Sequence, residues 1–218
     1  MITIIIIVIT SLISIRAFKD NELMSRLIFH PPAVKQGNGY RLFSYGVVHA
    51  DYTHLIFNMF TLYFFGPEIE RTFKSILGQT TGSVLFILLY LSALLVSIIP
   101  TYFKKKDNAS YYSLGASGAV SAIIFAYVLI NPMNYMGVLF IPIMLPAFLF
   151  GLIFILISMS LDKKQVGGIN HSAHITGSIF GIIFTIAVFF IFEDINLINS
   201  FIGQIRINSI SDIFYFGF

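Results

Sequence analysis

The chain has 218 residues, of which 57% are hydrophobic and 11% charged, with a mean hydropathy of +0.87. A water-soluble domain carries about 25% charged residues, so this composition excludes an ordinary soluble protein, and the lack of cysteine excludes disulfides, thiol nucleophiles and thiolate metal sites. The net charge of +3 comes from 13 Lys and Arg scattered over short loops, which form no basic stripe for nucleic acid.

Residues 2–18 form the first apolar run. Met1 leads straight into it and Arg16 stands at its end, the reverse of a signal peptide's basic start, so a retained transmembrane helix is expected. It is at the short limit for about 30 Å of hydrocarbon. A long first loop at 17–51 follows, with Pro31, Pro32 and glycines near Gln36; loops of such length are usually functional. Further spans are predicted at 52–71, 82–103, 113–131, 136–161 and 172–192, each near the roughly 20 residues that a spanning helix needs. Strict alternation is absent, which excludes a transmembrane barrel. The expected fold is an all-α membrane protein, one six-transmembrane-helix bundle over 1–193. Pro142 and Pro146 predict a kink in the fifth helix, and residues 194–218 an interfacial tail.

Ionisable and strongly hydrogen-bonding side chains are costly in lipid and mark functional sites. His54 and Asn58 lie at i, i+4 on the second span, Ser117 on the fourth and His174 on the sixth. In an up-and-down bundle these three spans begin on one face of the membrane. Ser117, four or five residues into its predicted helix, is expected about 6 to 8 Å below that face at ~1.5 Å per residue. Gly118, Ala122 and Ala126 make a small stripe that matches Gly177 and Gly181, so the fourth and sixth helices are expected to pack closely, bringing Ser117 to His174. A serine hydroxyl needs a base, and imidazole suits that near neutrality. His54, Asn58 and the Ser117 N–H would supply oxyanion donors. All ten acids lie outside the fourth and sixth spans, which leaves a Ser/His dyad rather than a triad.

In order along the chain, His49, Asp51, His54, Asn58, Gly66 and Glu70, then Gly115 to Gly118, then Ala173, His174, Gly177 and Gly181, resemble the rhomboid family of intramembrane serine proteases. The resemblance runs from about Tyr40 to Gly181. It implies a rhomboid-like six-helix bundle in which Ser117 is nucleophile and His174 base, with His54, Asn58 and the Ser117 backbone N–H at the oxyanion. It also implies substrates that are transmembrane segments of other proteins, reaching the site laterally from lipid. Tyr40, Arg41, His49, Glu70, Gly115, Gly118, Gly177 and Gly181 are expected to support the site structurally. Tyr40 precedes Arg41 where the family commonly has Trp. Ser121 stands where the family usually has an aromatic packed on the catalytic ring, and Phe125 where Gly is common.

Glu70 with Arg71 is expected to close the lower end of the second helix. His171 and His174 at i, i+3 find no third ligand for a metal, and the dyad calls for no cofactor. The partners expected are transmembrane substrates and membrane lipid, with no nucleic acid, in a multi-pass protein of the bacterial cytoplasmic membrane. The alternative is a catalytically inactive rhomboid-like protein that binds transmembrane segments. Lys and Arg number ten on the active-site face and three on the other, which by the positive-inside rule turns that face to the cytoplasm; the family arrangement in bacteria turns it outward.

Overall fold

A computed structural model describes residues 1–137, 143–164 and 169–215. Six helices of 14 residues or more make the bundle: α1 (Ile2–Ala17), α5 (Tyr52–Leu77), α6 (Gln79–Lys105), α7 (Ser117–Ile130), α8 (Ala147–Lys164) and α9 (His171–Glu193). The first loop carries three short helices, α2 (Asn21–Leu27), α3 (Pro31–Lys35) and α4 (Arg41–Ser44), and α10 (Leu197–Gln204) follows α9. Two of these helices, α6 and α9, are long and apolar enough to cross a membrane by themselves; α1 and α7 are apolar but shorter. The protein is a predominantly helical bundle, and large apolar side chains stand exposed around it, among them Leu12, Phe57, Tyr63, Leu156 and Ile183. Apolar surface this extensive needs lipid or another apolar partner.

Helix α7 sits at the centre, buried along nearly its whole length from Gly118 to Leu129. At about 1.5 Å per residue its 14 residues reach only about 21 Å, short of the roughly 30 Å hydrocarbon layer. The segment that leads into it, 113–116, is not helical. Ser117 is therefore the first residue of α7, not a residue four or five positions into a helix beginning at 113. The helix starts no earlier because Gly115 at φ +110° breaks any helix there.

The expected fifth span is also corrected. Residues Tyr135–Gly137 (β1) and Met144–Pro146 (β2) form an antiparallel hairpin with Tyr135 opposite Pro146, and the helix starts only at Ala147. Pro146 thus ends a strand, as fits a residue without an N–H, and does not kink a helix; Pro142 lies outside the described residues. Tyr215 pairs with Met144 through both backbone groups, so the tail returns to the hairpin instead of running free.

Glu70 does not work with Arg71, which pairs with Glu68. Its carboxylate accepts from Ile2 N–H at 2.9 Å, Thr3 N–H at 2.9 Å and Thr3 Oγ at 2.8 Å, with the Lys74 ammonium on its other side. An anion at the start of a helix satisfies orphan N–H groups and opposes the macrodipole. Met1 supplies no side-chain cap of its own. Glu70→Ala is expected to lower stability by about 3 kcal/mol, the cost of removing a buried charged partner, read as a fall in the thermal unfolding midpoint in detergent, with Lys74→Gln milder because Lys74 is less buried than Glu70.

Candidate active site

Two of the three helices that carry a site residue are capped by a side chain at their start. Asp51 caps α5, its carboxylate accepting from His54 N–H at 2.7 Å. Asn170 caps α9, its side-chain oxygen accepting from Ala173 N–H at 3.1 Å and from the Thr101 hydroxyl of α6 at 3.1 Å. N-caps of this type set where a helix begins, and so set the heights of His54 and His174. The start of α7 has no side-chain cap, which leaves first-turn N–H groups free to serve an incoming anion.

The α7–α9 contact is made without side chains. A Cβ on Gly177 would meet the Gly118 carbonyl oxygen at 2.1 Å, and one on Gly181 the Ala122 carbonyl oxygen at 2.2 Å. Backbones can approach this closely only through small residues. One turn above, His174 Nε2 lies 2.8 Å from Ser117 Oγ. Both residues are partly buried, and no carboxylate bonds the His174 ring among the described residues.

His54 lies against the same turn: a Cβ on Gly115 would meet His54 Nε2 at 2.8 Å. Ala50 N–H donates to His54 Nδ1 at 3.5 Å, so Nε2 carries the proton and can donate. Asn58 is buried, and its amide gives one hydrogen to the His54 carbonyl at 3.0 Å, leaving the second. Chemically the cluster offers a hydroxyl on a base and donors from two elements, α5 and the start of α7, beside it.

Of the expected supporting residues, Arg41 donates to the Ser25 and Ile28 carbonyls and Tyr40 to the Arg26 carbonyl, all within the first loop. His49 reaches the site itself. Its Nε2 accepts from Ala116 N–H at 3.3 Å, so Nδ1 is the protonated nitrogen and donates to Ser14 Oγ at 3.0 Å, which donates onward to the Val47 carbonyl at 2.9 Å. Three further bonds tie the first loop to the segment before Ser117: Phe29 and Ser113 exchange both backbone groups at 3.0 Å, and Gly115 N–H donates to the Tyr45 carbonyl at 2.9 Å. His49, expected to support the site structurally, does so by holding the residue next to Ser117.

Two residues enter that sequence reasoning did not place at the site. His171 is buried edge-on to His174, ring centroids 5.7 Å apart. Phe154 of α8 stacks on His174 at 6.1 Å and 25°. Only spacing relative to His174 could have flagged His171; nothing in the chain order marks Phe154. Among the described residues no group of three or more His, Asp or Glu could hold a metal ion.

With that geometry in place, the comparison with known proteins is specific. The Rhomboid domain matches residues 36–191, and the chain belongs to the rhomboid family of membrane proteins. It is 28% identical over 171 residues to "RHOMBOID-like protein 12, mitochondrial" of Arabidopsis thaliana, covering 75% of this chain and 50% of that protein. It is 31% identical over 94 residues to "Putative rhomboid protease YdcA" of Bacillus subtilis (strain 168), covering 43% and 42%. It is also 31% identical over 138 residues to "Presenilin-associated rhomboid-like protein, mitochondrial" of Homo sapiens, covering 62% and 34%. The chain spans half or less of the length of these curated relatives.

Burial, with a smaller push from the His54 ring, holds the His49 imidazole down at about 3 from its usual 6.5. A folded value below the unfolded one means that His49 contributes fully above pH 6.5 and loses that contribution as pH falls toward 3. Between pH 6.5 and 5, above the carboxylate range, the unfolding midpoint is expected to fall more steeply with acid in the wild type than in His49→Gln.

Proposed function

We propose that this chain is an intramembrane serine endopeptidase that cuts transmembrane segments of other membrane proteins. The observation that carries the proposal is the 2.8 Å contact between Ser117 Oγ and His174 Nε2. His174 takes the hydroxyl proton as Ser117 attacks the scissile carbonyl, and later returns it to the leaving amine. The oxyanion is received by the Ser117 N–H at the uncapped start of α7, by His54 Nε2–H and by the remaining Asn58 amide hydrogen. The acyl-enzyme is then hydrolysed by water with His174 again as base.

The six long helices are read as six spans of a single domain over 1–193, with 194–218 at the interface. Substrate enters laterally from the surrounding lipid, since the exposed faces of α5 and α8 beside the dyad are apolar, as at Phe57, Phe60, Leu156 and Ile157. The chain is a membrane protein; the Arabidopsis and human relatives are named mitochondrial, which leaves the bacterial cytoplasmic membrane expected from the sequence without support. The second reading, a rhomboid-like protein that binds such segments without cutting, draws on Ser121, where the family usually has an aromatic, and on the bond that engages Asn58.

A fluorophosphonate applied to the chain in liposomes separates the two. The protease labels at Ser117, loses labelling in Ser117→Ala and His174→Ala, and slows by about 10²- to 10³-fold in His54→Ala, the loss typical of one oxyanion donor. Folded wild-type chain that neither labels nor cleaves a model transmembrane substrate contradicts the protease reading and supports the binding one.

A further inference from the structure

Three rings from three helices make two successive contacts. Phe125 of α7 packs on Phe154 of α8 with centroids 5.9 Å apart, and Phe154 stacks on His174 of α9 at 6.1 Å. Phe125 is 5% exposed and lies over α8 where that helix has no side chain: a Cβ on Gly151 would meet its ring at 3.4 Å. Phe125 thus packs against α8 at Gly151, while the α7–α9 contact at Gly118 and Ala122 is made by backbone against Gly177 and Gly181.

The Ser117 bond constrains one nitrogen of His174, and no carboxylate constrains the other among the described residues. An imidazole held by one hydrogen bond can still tilt about it. Phe154 limits that tilt from its face and His171 from its edge. We infer that Phe154 is a positioning residue for His174, backed by Phe125, so that the dyad's alignment depends on where α8 stands. The inference rests on the catalytic reading above and deepens it. The aromatic support that Ser121 does not provide on α7 comes here from α8. Along the described length of α8 only Ala147, Gly151 and Ser158 are buried.

The test combines a structural readout with a rate. In full-length chain carrying 13C-histidine there are five His resonance sets, and His174 is assigned by its loss in His174→Ala. Phe154→Leu is expected to move the His174 Cε1–H signal by removing the ring current. It is expected to lower the maximal rate of Ser117 phosphonylation by a fluorophosphonate about three- to tenfold, the rate equivalent of one aromatic pair, at an unchanged half-saturating concentration. Phe154→Tyr restores both, and Phe125→Leu gives a smaller effect in the same direction. A His174 signal that ignores Phe154→Leu overturns the inference, as does a shifted signal with an unchanged maximal rate. Wild-type chain whose Ser117 does not label overturns the catalytic reading, while the His174 shift still reports whether the contact exists.

Discussion

The site depends on two helices touching without side chains between them. Gly177 and Gly181 of α9 lie on the Gly118 and Ala122 backbone of α7, so closely that a single methyl group at either glycine would collide with a carbonyl oxygen. In lipid no hydrophobic effect drives helices together, and close packing of small residues takes its place. Ser117 and His174 sit just above that contact, and their 2.8 Å separation follows from it. Everything else in the structure serves to hold the two helices at this height and in this rotation.

The long first loop does so from one side. It lends backbone partners to Ser113 and Gly115 and, through His49, an acceptor for the Ala116 N–H. These bonds tie the residues before Ser117 to the first loop, and with Gly115 at φ +110° α7 starts only at Ser117, with no side-chain cap. The loop is fastened in turn to α1 by Ser14, and α1 is fastened at its far end to α5 by Glu70. A line of polar contacts thus links the distant ends of the bundle to Ala116, the neighbour of Ser117. Each link is a buried group with a partner, as burial of polar groups requires.

Much of this was legible in the chain. Uncharged runs located α1, α6 and α9 within a few residues, and small residues at four-residue spacing on 118, 122, 177 and 181 located the contact that matters, because lipid imposes simple constraints on composition and packing. The hairpin at 135–146 was not legible, since Tyr135, Met136 and Met144 to Pro146 are as apolar as a helix and a run so short has no informative period. The start of α7 was missed for the same reason: Leu114, Gly115 and Ala116 continue the apolar run, and hydropathy is blind to φ. Glu70 was assigned its neighbour in sequence, Arg71, while its partners are 67 and 68 positions away on α1. Phe154 is one of several aromatics on a lipid-exposed helix, and its place over His174 is a property of tertiary geometry alone.

The central claim is that backbone contact between α7 and α9 creates the dyad. The most direct measurement is the rate of Ser117 labelling across Gly177→Ala and Gly177→Val, each assayed in liposomes at equal amounts of inserted, folded chain. The account predicts a loss that deepens with the size of the added side chain, because each added group pushes α9 away from the Gly118 carbonyl and opens the Ser117 to His174 hydrogen bond. Labelling that stays at the wild-type rate in both variants would contradict it.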